Sequence, residues 1–329
     1  MGTLAGTVTV IGGGVIGLTC ALQLARAGYA VTVVAAAPPA ETCSAVSAAL
    51  WLPFEAAPEK AVLGWARESS AVFEELSHDP DTGVTLNAGI ALYRSEPRRD
   101  WWTAALDRSR DATPDELLGG ASAGTVCTLP FVKMTRYLPW LEQQCRAAGI
   151  RFRREHVDRL HDIDPSSETI VVAAGLGSAR LMADDEMTPV RGQVVRLSNP
   201  GLTDWIMDDE NPQGMLYIFP RGTDVICGGT TEAGSWQTDA DPATTAAILH
   251  RARALLPALV EAEVLEEKVG LRPFRSAVRV QALRQEGRRI VCCYGHGGSG
   301  VTMSWGCADE VVRLVSGDVP EPPAGISPS

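Results

Sequence analysis

The chain opens on a β-branched run, Thr7-Val8-Thr9-Val10-Ile11, that stops at Gly12-Gly13-Gly14. An apolar segment from Val15 to Ala27 begins at once. This succession predicts strand, tight turn, helix. Gly28 stands where a helix C-terminus favours glycine, and Ala30-Val31-Thr32-Val33-Val34 supplies a second strand, so the stretch has the size of a βαβ unit. Glu59 to Leu76 places Val62, Trp65, Val72, Phe73 and Leu76 at helical spacing. The Asp-, Gly-, Ala- and Ser-rich stretch from Asp111 to Gly124 predicts a loop. Tyr137-Leu138-Pro139-Trp140-Leu141 opens a helix that ends near Gly149, and a strand follows at Ile150 to Phe152. Thr169-Ile170-Val171-Val172-Ala173-Ala174 then runs into Gly175 and Gly177 and reads as a buried parallel strand.

After residue 188 the pattern changes. Val190 to Leu197 alternates in part, Met215 to Pro220 is strand-like, and Val225 to Thr230 follows a turn at Arg221-Gly222. These predict antiparallel strands in a second layer. Pro242 to Leu256 predicts a helix, and Gly270 to Arg275 an extended piece, because a residue before proline is pushed out of the helical region. Near the end, Ile290 to Tyr294 is a strand, Gly295 to Gly300 a glycine loop, and Val301, Trp305, Ala308, Val312 and Val315 mark a closing helix. The parallel sheet is thus assembled from the beginning, middle and end of the chain, with the second layer inserted between.

Composition narrows the setting. A chain of 329 residues with 45% hydrophobic and 21% charged residues suits a globular protein with a substantial core. A net charge of −11 without a long basic run argues against nucleic acid or anionic membrane as partner. No apolar run is long enough to span a bilayer, the start lacks a basic leader pattern, and the cytoplasm is the expected location. The eight cysteines form no C-x-x-C pair and the five histidines no i,i+4 pair, so no metal site is expected. The state of the adjacent Cys292 and Cys293 stays open.

Gly12, Gly14 and Gly17 fill the G-x-G-x-x-G spacing. The first permits the turn, the second lets backbone approach a pyrophosphate, and the third lets helix pack on strand, with phosphates seated on helix N–H groups. The acid expected at the end of the second strand is missing: Ala35-Ala36-Ala37 stands there, and Glu41 is the nearest candidate. The motif therefore indicates a dinucleotide without saying which.

Further motifs occur in order over nearly the whole chain: Ala48-Ala49-Leu50-Trp51-Leu52-Pro53, Arg191-Gly192-Gln193, Tyr217-Ile218-Phe219-Pro220, Gly228-Gly229-Thr230, Gly270-Leu271-Arg272-Pro273 and Tyr294-Gly295-His296-Gly297-Gly298-Ser299-Gly300, closing on Trp305-Gly306-Cys307-Ala308. With the first glycine turn they resemble the FAD-dependent D-amino-acid oxidase family, which includes the D-aspartate oxidases. The resemblance implies an α/β fold: a discontinuous Rossmann-like FAD-binding domain (residues 1–50, 137–187 and 288–320) plus an inserted α+β substrate domain with an antiparallel sheet (51–136 and 188–287), then a tail at 321–329. It implies that FAD is held by Gly12, Gly14, Val15, Ile16, Gly17, Ala36, Thr42, Cys43, Ser44, Ala49, Leu50, Trp51, Val157, Gly175, Arg272, Gly297, Gly298, Gly300, Val301 and Thr302. Tyr217 and Arg272 match the catalytic pair that grips a substrate carboxylate, and Leu52, Gln213 and Ser299 are further substrate-side positions.

Arginine suits this role because its planar fork binds a carboxylate through two parallel hydrogen bonds. The implied reaction is oxidation of a neutral or apolar D-amino acid by hydride transfer to flavin N5, yielding a 2-oxo acid, ammonia and hydrogen peroxide; it needs position rather than a protein base. His296 in the glycine loop is expected to support structure rather than move protons. The acidic Asp208-Asp209-Glu210 argues against a second substrate carboxylate. Alternatives are a D-aspartate oxidase, an FAD-dependent dehydrogenase passing electrons to a partner, and a nucleotide-binding sensor. Departures from the family are Ala36-Ala37 at the adenosine end, Cys292-Cys293 before the tyrosine strand end, Gln213 where some members carry a second tyrosine, and Leu52 in place of a glutamine. Small-molecule D-amino acid and oxygen are the implied partners, and the family leaves room for a homodimer.

Overall fold

The structure, a computed structural model, describes residues 5–95, 101–106, 108–285 and 287–317. The expected tail at 321–329 lies outside the described residues. In chain order the strands are β1 (Thr7–Ile11), β2 (Ala30–Ala35), β3 (Val84–Tyr93), β4 (Ser109–Asp111), β5 (Ala123–Val132), β6 (Arg151–Arg154), β7 (Thr169–Val172), β8 (Thr188–Ser198), β9 (Trp205–Asp208), β10 (Leu216–Pro220), β11 (Asp224–Gly228), β12 (Glu232–Ala233), β13 (Val264–Gln285) and β14 (Arg288–His296). The helices are α1 (Val15–Arg26), α2 (Cys43–Val46), α3 (Glu59–Leu76), α4 (Met134–Ala147), α5 (Ser178–Met182), α6 (Pro242–Leu255) and α7 (Gly300–Ser316). Among the described residues none is long and apolar enough to cross a membrane.

The five strands β14-β7-β1-β2-β6 form a parallel set. They come from the start, middle and end of the chain; β1, β2, β7 and β14 carry apolar runs, whereas the edge strand β6 is arginine-rich and mostly exposed. Helices α1, α3, α4 and α7 cover one face, and α5 with the 157–163 segment covers the other. Strands buried on both faces have no polar side to alternate with. Gly306 lets α7 lie against α3: a Cβ there would stand 2.4 Å from the Trp65 backbone.

The antiparallel strands are not a separate layer, and this corrects the expectation. They continue the same sheet, in the order β4-β5-β3-β9-β10-β11-β8-β13-β14, antiparallel except for the parallel β3–β9 pair. The reason is β13, a 22-residue strand. Its first part pairs with β8 and its later part with β14, with a register shift between Phe274 and Arg279. One strand thus joins both regions. Charged residues interrupt its alternation, so only the 270–275 stretch reads as extended in the sequence. The loop expected over 111–124 also gives way at its ends to β4 and β5, which pair with each other. On one face of the antiparallel region Ile218, Val195, Leu197 and Cys227 pack with Ile248 and Ala252 of α6. The other face looks onto a cavity.

Candidate active site

The first glycine turn is built by close approach. Gly12 has φ +124°, donates its N–H to Val34 O at 2.9 Å, and has room for no side chain: a Cβ would lie 2.2 Å from Ala173 O. Gly14 is the N-cap of α1 and has no side-chain cap, and the first turn carries no acid. The Val15 N–H donates to Ser44 Oγ at 3.0 Å. Gly14, Val15 and Ile16 line the cavity, so a helix N-terminus with orphan N–H groups opens on it. Gly17 does not. Its Cβ would meet Gly12 O at 2.0 Å, so it sits behind the turn and sets helix–strand packing. Its contribution to the turn is therefore through packing behind the cavity wall.

The cavity has a volume of about 660 Å³. Its walls bring together Gly12, Gly14, Ala36, Thr42, Cys43, Ser44, Val157 and Gly175 at one end, Ala49 and Leu50 along its length, and Gly297, Gly298, Gly300, Val301 and Thr302 beside Leu52, Tyr217 and Arg272 at the other. These are the positions named from sequence, drawn from segments far apart in the chain. At the end beside the first glycine turn Glu41 and Glu155 line the wall, Glu155 also accepting from Arg153 Nη2 at 2.5 Å. Glu155 follows β6, and its N–H donates to Ala35 O at 3.0 Å. A carboxylate therefore stands beside the strand end that lacks one. No sequence signal could reveal it, because it depends on β2 pairing with β6.

Three other positions lie outside the cavity wall. Trp51 is fully buried in the core, and its indole N–H donates to Ala66 O at 3.0 Å. Its neighbours Leu50 and Leu52 face the cavity, so it points away. Gln213 is exposed in the turn before β10, where its carbonyl accepts from Arg251 at 3.2 Å. Ser299 is fully buried, and its hydroxyl donates to Phe54 O at 2.8 Å and accepts from Phe54 N–H at 2.7 Å. Its one O–H donor is spent on backbone, so Ser299 has no donor left to offer a substrate carboxylate. Thr302 does the same to Leu52, at 3.1 Å and 3.3 Å, from the cavity wall.

Beneath this loop, Asp184 accepts from Tyr294 Oη at 2.8 Å, Arg279 Nη1 at 2.9 Å and Arg275 Nε at 3.1 Å. Burial works to raise its carboxyl, but the Tyr294 hydrogen bond and the two guanidinium groups hold it below the usual carboxylate range. Burial lowers His296 to about 4, so its imidazole is neutral and fits a structural role. Folding also brings Cys293, His296 and Cys307 together, with ligand atoms within 4.8 Å of one another, a grouping their spacing does not announce. Cys20 Sγ lies 4.0 Å from Cys293 Sγ, and burial raises the thiols of Cys292 and Cys307. All eight cysteines are free.

At the far end of the cavity Tyr217 and Arg272 meet. Arg272 is half-buried and donates Nη1 to Thr230 O at 2.8 Å. Among the described residues no carboxylate forms an ion pair with it. Burial raises the Tyr217 hydroxyl, against the charge and hydrogen bond of Arg272 beside it, so it stays a neutral donor. The tyrosine ring stacks on Phe219 at 4.6 Å. Leu52, Phe54, Met207 and Met215 wall this end, with Asp209 and Thr238 also lining it; Phe54, Met207, Met215 and Thr238 are additions to the sequence reading, supplied by loops and by β9.

A glycine turn at a helix N-terminus, opening on a long cavity that runs to a second glycine loop, defines a dinucleotide-binding oxidoreductase. Comparison with known proteins agrees: the FAD dependent oxidoreductase family matches residues 7–314. A D-amino-acid oxidase of Rubrobacter xylanophilus is 42% identical over 315 residues, covering 95% of this chain and 97% of the relative. One from Streptomyces coelicolor is 40% identical, covering 94% and 97%. A human D-aspartate oxidase is 32% identical, covering 94% of each. The solved glycine oxidase of Bacillus cereus shares the fold, with a TM-score of 0.80, 24% identity and 96% of each chain covered. The chain belongs to the FAD-dependent D-amino-acid oxidase family. The cavity suits the cofactor: three glycines leave backbone open at the helix N-terminus, and the walls are largely apolar.

Proposed function

We propose that the protein oxidatively deaminates neutral or apolar D-amino acids to 2-oxo acids, ammonia and hydrogen peroxide. The observation that carries this reading is Arg272, a half-buried guanidinium without a carboxylate partner among the described residues, beside Tyr217 at the end of the cofactor cavity. Bound FAD supplies the two-electron acceptor. Gly12, Gly14, Val15, Ser44, Ala49, Leu50, Gly298, Gly300, Val301 and Thr302 would hold it, with Glu155 or Glu41 toward the ribose.

Arg272 takes the substrate carboxylate through the N–H groups not spent on Thr230 O and Tyr217, and the neutral Tyr217 hydroxyl adds a second donor. The two fix the α-carbon in one orientation, which is the main contribution asked of the protein. Leu52, Phe54, Met207 and Met215 receive an apolar side chain and exclude water. Among the described residues no Asp, Glu or His stands at this end in a pair suited to general base work, and a neutral amine substrate needs none. The N-terminus of α7 directs positive dipole at the cavity and favours anionic charge there.

A D-aspartate oxidase would need a second cation here, whereas Asp209 is the further charge lining this end. An oxygen-uptake and peroxide screen over D- and L-amino acids tests the reading. Turnover of D-methionine or D-phenylalanine above D-aspartate is expected; a strong preference for D-aspartate, or no peroxide, overturns it. We further propose the division of labour expected from sequence, with 51–136 and 188–287 presenting the substrate.

A further inference from the structure

We propose that Gly192 and Gly228 are positioning residues for the carboxylate clamp: together they form a side-chain-free floor across which Arg272 and Tyr217 lean toward each other. The inference rests on the reading of Tyr217 and Arg272 given above.

The floor follows from register. Tyr217 on β10 lies directly opposite Gly228 on β11, and Gly228 lies opposite Val194 on β8. Gly192, two residues from Val194, shares its face and lies opposite Gly270 on β13; Arg272 is two residues beyond. All six residues therefore occupy one face of four neighbouring strands. The two long side chains stand on the outer strands and the glycines on the inner ones.

The clearances leave no room for a methyl group. A Cβ on Gly228 would lie 2.3, 2.4 and 2.5 Å from Cζ, Oη and Cε2 of Tyr217. A Cβ on Gly192 would lie 2.4, 2.5 and 2.6 Å from Nη2, Cζ and Nη1 of Arg272. In both cases the nearest atoms are the functional tips of the side chains. Neither glycine has a positive φ, so left-handed backbone is not what calls for glycine at either position.

Strand β8 is anchored against a shift that would relieve the clash at Gly192. On the opposite face of β8, Arg191 donates to Gln237 O at 3.1 Å and to Asp239 O at 2.8 Å, and Gln193 donates to Asp241 O at 2.9 Å. The Gln193 N–H donates to Thr230 Oγ1 at 3.0 Å, while Thr230 O holds Arg272. The Arg-Gly-Gln motif thus has two jobs. Its outer residues anchor β8, and its glycine gives Arg272 a flat seat. A methyl group here displaces the tips and leaves the sheet in place.

The test uses G192A and G228A holoenzymes. Bound flavin is read from absorbance and stability from thermal unfolding. Carboxylate binding is read by titrating 2-aminoisobutyrate, which has no α-hydrogen to lose, against the flavin spectrum, and KM and kcat are taken with D-methionine. Expected are unchanged flavin content and melting, with KM and the 2-aminoisobutyrate Kd raised roughly tenfold or more, since displacement by about 1 Å in a positioned site is costly. G228A should add nothing further in a Y217A background. Wild-type KM and Kd in both single variants, or a full G228A effect persisting alongside Y217A, overturns the proposal. Should G228A fail to fold, folding of Y217A/G228A supports the proposal, and its failure overturns it. R272A separates the two readings. If R272A leaves 2-aminoisobutyrate binding intact, the clamp itself is wrong. If R272A abolishes binding while both glycine variants are silent, only the floor is wrong.

Discussion

The Ser299 hydroxyl bonds Phe54 twice, donating to its carbonyl at 2.8 Å and accepting from its N–H at 2.7 Å. The two residues are 245 positions apart. The bond pair ties the loop that begins α7 to the segment after Trp51, two walls of one cavity. Ser299→Ala leaves two backbone groups short of a partner and is expected to cost about 1–3 kcal/mol. Melting should fall by several degrees and the FAD Kd should rise, with KM changed little. A rise in KM alone would return Ser299 to the substrate.

Arg272→Ala removes the planar two-point grip on the substrate. Flavin absorbance near ~450 nm should be retained while kcat/KM falls by about a thousandfold or more, and Arg272→Lys should recover little because an ammonium offers no fork. Steady-state kinetics beside the flavin spectrum decide it, and near wild-type activity in the alanine variant would refute the assignment.

Acid sensitivity should come in two windows. His296 is held neutral with a lowered value of about 4, so the unfolded chain takes up its proton first and stability falls as pH drops from about 6.5 toward 4. The Asp184 carboxyl is lowered in the fold, so its contribution is present above about pH 4 and is lost as pH falls further. Asp184→Asn takes the Asp184 charge from Arg279 and leaves Arg275 with Glu186, and should cost about 3 kcal/mol at neutral pH. It should also flatten the lower acid limb. Melting temperature against pH for both proteins checks this; an unaltered acid limb in Asp184→Asn would assign it to other groups.

Gly17→Ala should be far worse than Gly28→Ala. The first places a methyl group against the backbone of Gly12, which cannot swing aside as a side chain could, and overpacking of this kind costs about 3 kcal/mol. The second has φ +91° but open space, and costs about 1 kcal/mol. Soluble yield and FAD content should both drop for Gly17→Ala alone.

Much of the cofactor half was legible from the chain. The first glycine turn, the strand at Thr169 and the loop before α7 announce themselves through local rules: β-branched runs, helical spacing and glycines where backbone must turn or touch. Such signals lie within a few residues of one another. The Tyr217–Arg272 pair emerged from family resemblance rather than from pattern, since a strand tyrosine and an arginine before proline are ordinary residues by themselves. Ser299, Gln213 and Gly17 stand off the cavity wall, and the Trp51 side chain turns away from it, for a related reason. Sitting within a motif does not say which way a side chain points.

The sequence by itself determined the first and last strand–glycine–helix units and the strand at Thr169, and that a dinucleotide docks at α1. The tertiary structure decided the rest: that β13 joins the parallel and antiparallel regions into one sheet, that Glu155 stands beside the acid-free end of β2, and that Gly192 and Gly228 lie beneath Arg272 and Tyr217. The strand period of two tells which residues share a face. It does not tell which strand lies alongside or in what register, and those depend on contacts between residues tens to hundreds of positions apart.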